Sequence, residues 1–174
     1  MNPSRWRFLL FNAVGGAAIL GSYVHGISTH ASPGSTLWGG VPSGVQALYT
    51  ASMFTAAAGF LSMFGYFFRL LPDGTRLFGG RLPVQAIYAP LLVVHVASTL
   101  WMPLTFFHAA APSVARWTAV RTDLLLVGAG ALLLIAAVAT SKPRGRGFVG
   151  ALVGSVAFAF QTAVLDALVW PALY

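Results

Sequence analysis

The chain has 174 residues, 57% of them hydrophobic and only 7% charged, with a mean hydropathy of +0.79. A soluble domain carries about a quarter charged residues, so this composition excludes one and points to a single membrane domain. The net charge of +7 comes from Lys and Arg in short connections rather than in a basic run, which favours a topology signal over nucleic acid. The absence of cysteine removes disulfides, thiolate nucleophiles and Cys-ligated metals.

Apolar stretches of spanning length fall at 8–28, 46–71, 84–107, 122–140 and 148–170. Each has roughly 20 residues, enough at about 1.5 Å per residue to cross a ~30 Å hydrocarbon core. Five such spans predict an all-α, polytopic five-helix bundle, because an open sheet would leave backbone groups unsatisfied in lipid.

In the first span Ala17, Gly21 and His25 recur at i, i+4 and i+8, which predicts a small-residue packing face with His25 turned into the bundle. The rival reading is a cleaved leader, with Arg5 and Arg7 as its basic region and small residues near Ala31 as the cleavage site. Against it, the run exceeds the ~7–15 residues of a leader core and contains Asn12, Tyr23 and His25. The connection 29–45 is rich in Gly, Ser and Pro, has no charged residue and centres on Trp38-Gly39-Gly40-Val41-Pro42. It reads either as a mobile tether or as a lid with Trp38 at the interface.

The second span opens near Leu48-Tyr49 and ends in Phe64, Tyr66, Phe67 and Phe68, the composition of an interfacial aromatic belt. Pro72-Asp73-Gly74 then predicts a tight turn. In the third span Pro90 and Pro103 each remove a backbone donor, which frees the carbonyls of Ala86 and Thr99 and predicts kinks. The fourth is nearly featureless after Arg121-Thr122-Asp123, where Asp123 complements the positive helix end. Lys142, Arg144 and Arg146 follow as a compact cationic group suited to lipid headgroups. The last span carries a Gly150–Gly154 GxxxG pattern, read as intramolecular packing ahead of a dimer contact.

Eight of the ten Lys and Arg lie in the N-terminus and the second and fourth connections, and only Arg116 and Arg121 on the other face. The positive-inside rule therefore predicts an integral membrane protein of the bacterial inner (plasma) membrane, with its N-terminus cytoplasmic and its C-terminus outside.

The stretch 95–108, from His95 through Thr99, Trp101 and Pro103 to His108, concentrates polar, aromatic and kinking residues. His25, His30, Trp101, His108, Arg116, Arg121, Asp123 and Asp166 all fall in the outer half on this topology, and His95 near the middle. Intramembrane ionisable groups are candidate functional residues, so a ligand site is expected in the outer half beneath the Trp38 loop. The competing structural readings pair Asp166 with Arg121 or His25 and tie His95 to Thr99. A bis-His haem would need His25 and His95 at one depth. No zinc motif, nucleotide loop or paired catalytic carboxylates are present, so no catalytic or metal residue is assigned.

Trp38 and Pro42, then Leu48-Tyr49, then Ser98-Thr99-Leu100-Trp101-Met102-Pro103-Leu104-Thr105-Phe106-Phe107 resemble, in order and spacing, the TspO/translocator protein (peripheral benzodiazepine receptor-like) family. The chain departs from it at Ser98, where the family commonly has Asn, and in lacking a basic C-terminal tail. The resemblance implies an intramembrane pocket covered by the first loop that takes a porphyrin (haem included), a sterol or a similar planar hydrophobic molecule. Trp38, Tyr49, Trp101 and Phe106 would line or cover it, with His25, His95 or Asp166 orienting the ligand. The alternative is a non-catalytic accessory subunit that docks on partner helices or forms a homodimer. Neither reading involves nucleic acid.

Overall fold

The structure, a computed structural model, describes residues 2–71 and 74–174; Pro72 and Asp73 of the expected turn lie outside the described residues. Among the described residues the protein is all-helical apart from one short hairpin. Among the described residues five helical segments are long and apolar enough to cross a membrane: Pro3–Thr29, Ser43–Leu70, Val84–Ala110, Val114–Ala139 and Phe148–Leu173.

Helix α1 (Pro3–Thr29) starts with Pro3 in its first turn and the Asn2 side chain accepting from Ser4 N at 2.9 Å, which satisfies one of the orphan donors of a helix start. The first connection holds a short helix, α2 (Pro33–Trp38), and α3 follows over Ser43–Leu70. A two-residue hairpin, β1 (Arg76–Leu77) against β2 (Leu82–Pro83), leads through one 3₁₀ turn (Val84–Ile87) into α4 (Tyr88–Ala110). Helix α5 spans Val114–Ala139 and α6 Phe148–Ala159; the chain then widens into a π-type segment (Phe160–Val169) and closes with α7 (Trp170–Leu173).

Around the bundle the order is α1, α4, α5, α6, α3, each packed along the next, while α1 and α3 meet only sparsely. At their junction Phe8 stacks on Phe64 with centroids 5.2 Å apart. The Arg5 guanidinium donates to the carbonyls of Phe68 and Arg69, both at 3.1 Å, supplying a cation where the α3 dipole is negative. Above that clasp the two helices part.

Small residues set the closest approaches. A Cβ on Gly59 of α3 would strike the Gly154 carbonyl of α6, and the converse also holds; the GxxxG glycine at 154 therefore serves packing within the chain. Gly128 and Gly130 let α5 approach Ala163 and Val94 in the same way.

Several expectations are corrected. Helix α5 begins at Val114, not 122, because Ser113 caps it by accepting from Arg116 N (3.3 Å). Asp123 thus lies more than two turns inside the helix, away from the end it was expected to complement. Tyr66 and Phe67 are core rather than belt, fully buried with the Tyr66 hydroxyl 2.6 Å from Ser141 Oγ. Pro90 sits in the first turn of α4, where no intrahelical donor is lost. Pro103 is inside the helix, and the Thr99 carbonyl it frees accepts from Ser22 Oγ of α1 at 2.7 Å.

Candidate functional site

The parting of α1 from α3 creates a cavity of about 620 Å³ that opens on the bundle's side. On α1 its lining runs from Leu9 to Tyr23, roughly 20 Å along the axis. The rim is apolar: Leu20 and Leu61, about two-thirds exposed, and Met53 border it. Phe60, Phe64, Val94, Leu124, Val127 and Phe158 make the walls, and polar groups gather at two levels.

At the lower level stand Asn12 and His95. The His95 ring fills the position a side chain at Gly15 would take, and it sits between Phe11 and Phe60 with centroids at 5.3 and 6.2 Å. The Thr99 hydroxyl donates to the His95 carbonyl (2.7 Å) rather than to the ring. Asn12 Nδ2 returns to the Phe8 carbonyl at 2.8 Å, which leaves Asn12 Oδ1 buried without a hydrogen-bond partner among the described residues.

At the upper level Tyr23, Ser98, Trp101, Gln161, Thr162 and Asp166 converge from three helices. Asp166 Oδ1 accepts from Gln161 Nε2 at 2.8 Å. In an α-helix residues five apart lie about 140° apart around the axis. The π-type winding, which closes i to i+5, turns both toward the cavity. Buried Gln161 Oε1 and Trp101 Nε1 have no hydrogen-bond partner among the described residues. Trp101 meets Tyr23 edge-on at 5.8 Å on the cavity side and Trp170 at 6.0 Å on the other.

Beyond Trp101 the interior is closed. Val41, Tyr49, Val120, Leu124, Ala167 and Trp170 form a buried cluster with Trp38, Trp117 and Tyr174 packed on it. The first connection covers this cluster as a lid: Trp170 Nε1 donates to the Leu37 carbonyl (2.9 Å), Trp38 meets Tyr49 edge-on at 6.0 Å, and Gly40 abuts the Leu173 backbone. The cavity therefore does not lie directly beneath the Trp38 loop; it begins one aromatic layer deeper and extends toward mid-bundle.

Of the residues singled out in the sequence, Trp101, His95 and Asp166 line the cavity. Trp38 and Tyr49 do not: they belong to the lid and its support, where the Tyr49 hydroxyl donates to the Leu165 carbonyl. Phe106 is buried against His30, stacked at 3.9 Å, and is separate from the cavity. His25 points outward, exposed. The inward face of α1 is instead Phe8, Gly15, Ser22 and Gly26, the last pressed on Met102 and Phe106, so the Ala17–Gly21–His25 row faces away. His95 lies at the level of Gly15, about 15 Å below His25, and the two cannot share a haem iron. Asp166 bonds to Gln161 and not to Arg121 or His25. Gln161 was not read from the sequence, because α-helical spacing separates it from Asp166, whereas Thr162, one α-helical turn before Asp166, was within reach of that reading and was passed over.

No family model matches the chain, and no curated protein or solved structure matches it.

Proposed function

We propose that the protein is an integral membrane protein that binds a planar hydrophobic molecule in the α1–α3 cavity, in the manner the resemblance to the TspO/translocator family implies. The observation that carries this reading is the cavity itself. Its volume lies in the ~300–1,000 Å³ range of small-molecule sites, and it combines apolar walls with a few convergent polar groups, the usual make-up of such sites. Its mouth is bordered by side chains suited to hydrocarbon, so a ligand dissolved in the bilayer enters without crossing a polar rim. Phe60, Phe64 and Trp101 offer ring faces and edges to a flat body, and Asp166 and His95 fix its orientation. Trp38 and Tyr49 act by closing the lid end. Positive-inside counting sets the N-terminus in the cytoplasm and the lid outside, in a membrane of the bacterial inner type.

Gly16 provides the test. It lines the cavity, and a Cβ built there meets nothing within 4 Å, so Gly16→Phe fills the space without straining the helix packing. Titrating the purified protein with a porphyrin is expected to quench tryptophan fluorescence saturably. Gly16→Phe should abolish the quenching while leaving the thermal midpoint within about 2 °C. Saturable quenching unaltered in Gly16→Phe and in Trp101→Phe would refute the site.

A further inference from the structure

The upper end of the cavity is rich in acceptor oxygens, some of them on hydroxyls that also donate. Asp166 carries two carboxylate oxygens, of which Oδ1 takes one bond from Gln161. Gln161, only 3% exposed, lines the same level, and its Oε1 has no hydrogen-bond partner among the described residues. Tyr23 and Ser98 add hydroxyl oxygens. Next to Leu124 of the cavity wall, Asp123 on α5 is 5% exposed and its Oδ2 also lacks a partner among the described residues. Asp166 is the acidic residue among the cavity's lining, and among the described residues no Lys or Arg lines it. The donors at this level include Trp101 Nε1, buried without a partner among the described residues, and the hydroxyls of Tyr23 and Ser98, which both donate and accept.

An ionised carboxylate away from water needs a cation or several donors to offset its lost hydration. Nothing in the lining supplies that at Asp166 beyond one amide. An ammonium group presents three donors, no acceptor and one positive charge, the complement of this acceptor set. The rings of Tyr23 and Trp101 beside it are surfaces on which a cation is stabilised further. An anionic head group would meet the Asp166 carboxylate instead, and a neutral hydroxyl would satisfy at most one acceptor as donor.

We infer that the cavity selects a bilayer-soluble amine: an apolar body lying along Phe60 and Phe64 with its protonated amino group held at Asp166 and Gln161 and shielded by Tyr23 and Trp101. This inference rests on the cavity being a ligand site, and its test separates the two. Equilibrium binding to the protein in non-ionic detergent is measured for a sterol bearing a 3-amino group and for the same sterol bearing a 3-hydroxyl. The amine is expected to bind at least tenfold more tightly, with the difference falling below threefold in Asp166→Asn. Tyr23→Leu is the second variant and should weaken the amine at least threefold more than it weakens the alcohol. Equal binding of the two sterols, or a preference that survives both variants, overturns the amine assignment. If in that case both sterols are still lost in Gly16→Phe, the cavity stands as a ligand site. Failure of every probe, porphyrin included, overturns both readings.

Discussion

Gly15 and Ser22 show how single residues hold α1 against α4. Because the His95 ring occupies the volume beside Gly15, Gly15→Ala forces the imidazole out of its place between Phe11 and Phe60. Overpacking of this kind costs about 1–3 kcal/mol. The loss should appear as a lowered thermal midpoint in detergent and be largely recovered in Gly15→Ala/His95→Ala, where the collision is gone. Ser22 depends on a different residue's deficiency. Its hydroxyl bonds the Thr99 carbonyl, which accepts no helical bond because Pro103 has no N–H. Interhelical hydrogen bonds of this type are worth about 0.6 kcal/mol in membrane proteins. Ser22→Ala should cost about that much in the native background and close to nothing once Pro103→Ala restores the missing donor. A double-mutant cycle measured by unfolding in detergent reads the coupling directly, and additive losses would disprove it.

The elements differ in how far the sequence announces them. Hydropathy and length located all five long helices, since a run of about 20 apolar residues has few other solutions, and the GxxxG glycine at 154 does pack within the chain. What hydropathy lacks is phase. In a helix apolar on all sides nothing in the pattern marks the inward face, so the outward row of Ala17, Gly21 and His25 looked as suitable as the true one through Gly15, Ser22 and Gly26. The π-type winding at Phe160–Val169 was equally hidden, and with it the Gln161–Asp166 pair. Trp101, singled out by its place in the Ser98–Phe107 run and in the outer half of its span, does line the cavity. The connection 29–45 left two readings open, and the docked α2 selects the lid. One bond at its centre makes it testable. Trp170→Phe removes the donor to the Leu37 carbonyl while keeping an aromatic ring, a loss of about 0.5–1.5 kcal/mol. Cleavage at Leu37 or Trp38 by chymotrypsin, which requires local opening, should then accelerate roughly two- to tenfold.

For the whole molecule, the two ends of the bundle are built differently, and this bears on its orientation. At one end the hairpin β1–β2 is tied to the connection after α5 by paired backbone bonds between Arg76 and Lys142, at 2.9 and 3.0 Å. This joins the two most basic connections in one structure, beside the N-terminus that Arg5 fastens to the end of α3. At the other end lie the uncharged lid and the aromatic cluster, with Arg116 turned to the carbonyls of Phe107 and Ala111 (3.1 and 2.7 Å) and to the Phe107 ring. Positive charge is thus concentrated at one end by the fold as well as by the sequence, and in the proposed positive-inside orientation that end would lie in the cytoplasm. The chain has no cysteine of its own, so single introduced thiols report on it without background. Ser35→Cys on the exposed side of α2 is expected to react with a membrane-impermeant maleimide in intact cells. Arg81→Cys, exposed at the hairpin, should react only after permeabilisation. The opposite pattern would invert the protein, set the lid on the cytoplasmic side and, because the cavity opens on the side of the bundle, leave the route of a bilayer-dissolved ligand unchanged.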